Sequence, residues 1–220
     1  MGRRSGPPAL LDIGGGSLEV AFGRGRVPEF AVSLPLGAHR LTKEFLQFAG
    51  SPRPSGTTAL RRQARHQLRD ASARIRWEHP QTAVATSRTF QQPARLCGAA
   101  PGRRGPFVRR GLRRRDLRRA VDRPAALPAE RRAELPGISK ARARQSLAGA
   151  IVAHTAMKLS GVKTVATRPW ALREGILLPY LEDGPGWWAD LEGQDEAARP
   201  LDGVAVATRT LRVAASSSMP

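Results

Sequence analysis

Ala9-Leu10-Leu11-Asp12-Ile13-Gly14-Gly15-Gly16-Ser17-Leu18-Glu19-Val20-Ala21-Phe22 is the stretch that decides how this chain folds and where its chemistry sits. An apolar strand, Ala9 to Gly14, runs into three glycines and leaves as a second strand, Leu18 to Gly23. Consecutive glycines take positive φ without steric cost. The backbone N–H groups from Gly14 through Gly15 and Gly16 to Ser17 can therefore converge on an anion that a Cβ would keep away, and phosphate is the natural one. Asp12 and Glu19 flank the turn. Two hard carboxylates beside a phosphate cradle suit Mg²⁺ or Mn²⁺, since Mg²⁺ takes one or two carboxylates and completes its shell with waters and substrate phosphates. The same residues also read as a plain β-hairpin with a flexible turn.

Working outward, Val27 to Leu34 reads as a third strand, completing a meander, and Leu36 to Phe48 as a helix with Leu41, Phe45 and Phe48 at helical spacing. Ser51 to Thr58 reads as a loop. Ala59 to Trp77 then reads as an amphipathic helix with Leu60, Ala64, Leu68, Ala71 and Ile75 inward and arginines outward. Thr82 to Ala85 is a buried strand. It runs into Thr86-Ser87-Arg88-Thr89, a turn opening a helix through Phe90 to Leu96. Hydroxyls and open N–H groups at a helix N-terminus make a second candidate anion site, with simple N-capping by Thr86 or Ser87 as the alternative. Ser139 to Leu159 reads as one helix capped by Ser139, Val162 to Thr167 as the last strand, and Pro169 to Leu181 as a final helix. His154 faces inward on its helix and reads as a packed core histidine.

The 220 residues suit one domain with an appendage, and the formal net charge is +19. That excess predicts salt-sensitive attraction to polyanions, whether polyphosphate or nucleic acid. It is concentrated: nine of the seventeen residues from Arg103 to Arg119 are arginine, and Arg61, Arg62, Arg65, Arg69, Arg74 and Arg76 form a second stripe. Each cluster is either a guide for a phosphate chain or a solvated face. Few aromatics accompany them, which argues against stacking on single-stranded bases. The lone Cys97 excludes an internal disulfide and reads as a small buried apolar residue. No run of about 18 apolar residues is present, so a cytoplasmic protein without a membrane partner is expected.

The octet Asp12 to Glu19, the segment Ser33-Leu34-Pro35-Leu36-Gly37-Ala38-His39-Arg40-Leu41-Thr42, the pair Pro136-Gly137-Ile138 and Ala143 to Ala150, and Trp170 to Leu177 together resemble the Ppx/GppA family. These are the exopolyphosphatases and guanosine-pentaphosphate phosphohydrolases. The resemblance covers Ala9 to Asp183 and is closest to short actinobacterial members. It implies an α/β fold: one ribonuclease-H-like domain of the actin/hexokinase superfold, a mixed sheet flanked by helices, the second of the family's two. Residues 1–8 then read as a linker, 9–183 as that domain, and 184–220 as an acidic, then low-complexity tail expected to be disordered.

The resemblance further implies phosphoanhydride hydrolysis of polyphosphate or guanosine pentaphosphate, with Asp12 and Glu19 at the metal and Gly14, Gly15, Gly16, Ser17, Thr86, Ser87, Arg88 and Thr89 on phosphate. It assigns no catalytic base to this chain. The family's base lies upstream of the Asp12 motif, so the chain reads as the second half of an enzyme, weak or inactive alone, awaiting a first-domain chain or a second copy. A silent basic protein binding polyphosphate or nucleic acid is the alternative. Pro93 and Pro124 depart from the family pattern; each is expected in a first helical turn, or as a mark of relaxed constraint or sequence error.

Overall fold

The computed structural model describes residues 7–23, 28–46, 52–105 and 107–168. Six strands form one mixed sheet: β1 (Ala9–Ile13), β2 (Leu18–Phe22), β3 (Phe30–Leu34), β4 (Ala83–Ala85), β5 (Gly111–Arg113) and β6 (Thr164–Thr167). Their order is β3-β2-β1-β4-β6-β5. The first three are an antiparallel meander; β4 runs parallel to β1 and β6 parallel to β4, while β5 returns antiparallel at the far edge. The helices are α1 (Ala38–Phe45), α2 (Pro54–Glu78), α3 (Arg88–Leu96), α4 (Arg114–Ala120), α5 (Asp122–Ala125) and α6 (Ser146–Leu159). This is the mixed α/β domain that the meander and the following helix–strand alternation predict.

Alternation sets the faces. Leu11, Ile13, Leu18, Val20 and Phe22 point into a core that includes Leu147, Ile151 and Met157 of α6. Leu10, Asp12, Glu19 and Ala21 occupy the other face. Helix α6 is apolar nearly all round because α1, α2, α3, α4 and α5 all pack against it. Gly149 lets α3 approach: a Cβ there would fall 2.4 Å from the Thr89 methyl.

Several boundaries differ from the sequence expectation. The third strand starts at Phe30 rather than Val27, consistent with Pro28 lacking the N–H a ladder needs. Helix α2 begins at Pro54, inside the expected loop, because proline at the first helical position has its φ pre-set and no N–H to lose. The helix expected from Ser139 is divided: Ser139 leads a 3-10 turn, Lys140–Arg142, and α6 starts only at Ser146. At the break the Arg132 guanidinium donates to the Arg144 carbonyl at 3.1 Å. Strand β5 and helix α4 have no counterpart in the sequence expectation. Pro124 is the third residue of α5, as expected of a first-turn proline, whereas Pro93 stands at the sixth position of α3, beyond its first turn. The expected final helix and tail lie outside the described residues.

Candidate active site at the β1–β2 turn

The glycine turn closes tightly, with the Gly14 N–H donating to the Ser17 carbonyl at 2.8 Å. Its glycines do not take the positive φ expected of them. Close approach explains the turn's surroundings instead. The first N–H groups of α1 have no side-chain cap and find the turn's carbonyls: Ala38 donates to Gly14 O, and His39 and Arg40 to Gly15 O, each at 3.0 Å. Such docking brings Gly37 against the turn, where a Cβ would sit 2.2 Å from the Gly16 carbonyl carbon.

With the carbonyls turned to α1, the N–H groups of Gly15, Gly16 and Ser17 have no acceptor among the described residues. A Cβ on Gly16 would meet nothing within 4 Å. The turn thus offers open donors beside empty space, the arrangement an anion needs.

Register brings the two acids together. Asp12 pairs directly with Glu19 across β1–β2, and Glu19 with Ser33 across β2–β3, so all three occupy one row on the same face. The Thr86 hydroxyl donates to Asp12 Oδ2 at 2.7 Å. The Ser17 and Ser33 hydroxyls both donate to Glu19 Oε1, the latter at 3.0 Å. Among the described residues only one oxygen of each carboxylate is engaged. Two like charges facing across a ladder repel unless a cation intervenes. The donor set fits a hard divalent ion that keeps waters and takes substrate oxygens; no third acid, histidine or cysteine joins it among the described residues.

The second candidate turn lies at the carboxyl ends of β1, β4 and β6. Ser87 is the cap of α3: its Oγ accepts from Phe90 N at 3.3 Å and from Ile13 N at 3.2 Å, binding the helix start to β1. Thr86 links the same turn to Asp12. Arg88 is exposed at the first helical position, and its N–H and that of Thr89 find no acceptor among the described residues. The Thr89 side chain, 5 % exposed, packs against α6 instead of standing at the turn. Thus Thr86 and Ser87 are joined to β1 beside Asp12 and the glycine turn, Arg88 follows exposed on α3, and the Thr89 side chain is packed against α6.

Sequence reasoning missed Ser33, Gly37 and the bond from Thr86 to Asp12. Ser33 was recoverable, because a symmetric hairpin about Gly15-Gly16 and a short second connection fix the row. The Gly37 contact needs tertiary packing. The arginine-rich segment is not one uniform face: the Arg110 guanidinium donates to the carbonyls of Ala100, Pro101, Gly105 and Val108 at 2.7–3.0 Å and holds that loop.

Residues 3–183 match the Ppx/GppA phosphatase family. An uncharacterized protein of Streptomyces coelicolor is 67 % identical over 202 residues, 91 % of this chain and 60 % of the relative. Exopolyphosphatase 1 of Mycobacterium leprae is 46 % identical over 173 residues, 78 % of this chain and 51 % of the relative. The chain therefore spans about half to three fifths of the length of these relatives. Among solved structures, the Aquifex aeolicus Ppx/GppA family member aligns with a TM-score of 0.71 and 22 % identity, over 82 % of this chain and 58 % of that one. An exopolyphosphatase from Cytophaga hutchinsonii aligns with a TM-score of 0.69 and 20 % identity, over 81 % and 58 %. The structural likeness establishes the actin-like α/β fold, and the sequence matches make this chain a member of the Ppx/GppA phosphatase family.

Proposed function

We propose that the chain forms the phosphate- and metal-holding part of a phosphoanhydride hydrolase acting on polyphosphate or guanosine pentaphosphate. The observation that carries this reading is the glycine turn: three acceptor-free N–H groups beside open space, with Asp12 and Glu19 in direct register at its foot. The Gly15, Gly16 and Ser17 N–H groups bind non-bridging oxygens of the terminal phosphate. The Arg88 and Thr89 N–H groups, with the Arg88 guanidinium, bind the next phosphate at the positive end of α3. Thr86 fixes the Asp12 carboxylate, and Ser17 and Ser33 fix that of Glu19, so neither reorganises as charge develops. Asp12 and Glu19 would hold a divalent ion, which would neutralise charge on the phosphate oxygens.

Water adds to the terminal phosphorus, the bond to the bridging oxygen breaks, and orthophosphate leaves. The proton passes to a base that the resemblance assigns to the family's first domain, supplied here by another domain, a separate chain or a second copy. Without it, hydrolysis is slow. The test is phosphate release from long-chain polyphosphate with Mg²⁺, beside Asp12→Ala. Release that disappears in the variant supports the reading. Equal release by both overturns it; no release with salt-sensitive binding retained marks a remnant or a subunit awaiting its first domain, and binding that Asp12→Ala leaves unchanged favours the passive polyanion binder that the +19 charge suggests.

A further inference from the structure

Beyond the Thr86–Ser87 turn, α3, the end of β6 and the loop before β5 enclose a cavity of about 80 Å³. Gln91, Ala94 and Arg95 line it from α3, Thr167 and Arg168 from β6 and its exit, and Arg110 from the loop. It lies at the end of the sheet that carries the candidate site. The Arg168 N–H donates to Ala85 O at 2.9 Å, and the Gln91 amide donates to Arg168 O at 3.3 Å and to Thr86 O at 3.5 Å. Thr86 is the residue whose hydroxyl reaches Asp12. Two features of the wall suit an anion. Arg95, Arg110 and Arg168 stand in it without an acid, and none of them is paired with a carboxylate among the described residues. The wall's carbonyls are already turned to these cations: Arg95 takes Ala99 O, and Arg110 takes Ala100 O and Gly105 O, each at 2.9 Å. A positive interior with its own acceptors engaged is left for a ligand. Thr167 supplies the second feature. It is 2 % exposed, and its Oγ1 is buried with no hydrogen-bond partner among the described residues. An unpartnered buried hydroxyl is costly, and one step about χ1 exchanges it with the methyl, so an acceptor held in the cavity can satisfy it.

We infer that this cavity is a further phosphate subsite, which holds one phosphate group at a distance from the glycine turn. Its volume is that of roughly two or three waters, room for a tetrahedral oxyanion and too little for a nucleoside. Helix α3 supplies the path to it. Arg88, Gln91 and Arg95 fall within about 60° of one another around the helix axis, and Arg88 and Arg95 are about 10 Å apart along it. A chain whose second phosphate lies at Arg88 runs on along that face to the cavity. Such a subsite favours a linear phosphate chain, in which every unit is an anion, over guanosine pentaphosphate, in which a nucleoside follows the triphosphate. Free orthophosphate presents the same chemistry to the cavity, and the test separates the two sources. The chain as ligand rests on the proposed function, whereas the cationic wall and the Thr167 hydroxyl do not involve Asp12.

The test is calorimetric titration of the full chain with orthophosphate, tripolyphosphate and medium-chain polyphosphate at fixed salt, for the wild type, Thr167→Val, Arg168→Gln and Asp12→Ala. Thr167→Val keeps the side chain's shape and removes a hydroxyl that has no partner, so its melting temperature should hold or rise. Arg168 is exposed, and its replacement should leave the fold intact. The medium chain is expected to bind more tightly than tripolyphosphate. Both cavity variants should lose about tenfold on the medium chain while matching the wild type on tripolyphosphate. That pattern assigns the cavity to a unit of the chain; orthophosphate binding that survives Asp12→Ala and falls in Thr167→Val assigns it to the free ion. Thr167→Val affinities equal to the wild type for both the medium chain and orthophosphate overturn the inference, whether or not Arg168→Gln weakens binding through its charge. A Thr167→Val chain that melts well below the wild type shows the hydroxyl to be partnered and overturns it too. If Asp12→Ala abolishes phosphate release while the cavity variants bind normally, the cavity fails and the proposed function stands. Release that Asp12→Ala leaves unchanged, with the Thr167→Val loss present, separates them the other way.

Discussion

At Gly16 an added methyl projects into open space and meets no protein atom within 4 Å, whereas at Gly37 it collides with the backbone of Gly15 and Gly16. The two glycines therefore serve different ends. Gly16→Ala is expected to leave thermal stability within about 1 kcal/mol while weakening phosphate-chain binding about tenfold, read by denaturation and by calorimetric titration. Gly37→Ala should cost about 3 kcal/mol or prevent folding, because backbone, unlike a flexible side chain, has nowhere to move. Thr86→Val tests the support of Asp12. Losing a hydrogen bond to a charged acceptor costs about 1.5–3 kcal/mol, and the expected readout is a raised Mg²⁺ requirement for polyphosphate binding with the fold retained. Cys97 is half-buried, and burial with Asp116 nearby pushes its thiol up to about 11. In the native protein it should react far more slowly with thiol reagents than free cysteine, and at the free rate after unfolding.

At the scale of elements, buried Arg132 ties α5 and the segment after it to the chain just before α6. Its guanidinium donates to the carbonyls of Pro124 at 2.8 Å, Leu127 at 3.2 Å and Arg144 at 3.1 Å, with no carboxylate paired to it among the described residues. Arg132→Met removes donors from three part-buried acceptors and should cost about 3 kcal/mol, measured by urea denaturation. Pro93 makes the opposite case. Inside α3 it forfeits the N–H that would bond Thr89, so Pro93→Ala is expected to stabilise by about 1–3 kcal/mol. The meander, α2 and α3 were legible because their apolar residues recur with period 2 or 3.6 and their turns carry Gly or Pro. Strand β5 was not legible. Its Gly111-Leu112-Arg113 is three residues long, has one apolar member, and exists because Lys163 to Ala166 offers an edge.

At the scale of the whole molecule, charge and pH act together. With 37 basic against 18 acidic residues, self-repulsion opposes compaction, and added salt should raise the melting temperature by screening it. His154 gives the pH term its sign. Its folded-state pKa is lowered, so the unfolded chain binds the proton more readily. Stability is therefore full above the ordinary value near 6.5 and falls as pH drops through that value toward the lower folded one. His154→Gln should flatten this dependence in thermal melts taken across pH 5–7.

The sequence by itself determined the family, the glycine turn, the acidic pair and the basic excess, since each is written in contiguous residues whose chemistry is local. Tertiary structure alone decided how the site is held. The carbonyls of the turn satisfy α1, which leaves its N–H groups outward; Thr86, seventy-four residues from Asp12, reaches it only because β4 lies beside β1. The Thr89 side chain, a candidate phosphate ligand by sequence, packs on Gly149, and His154, a core residue by sequence, is half-buried on α6. Periodicity tells which side of a helix is apolar. It does not tell which neighbour covers that side, or where two neighbours part and let solvent in.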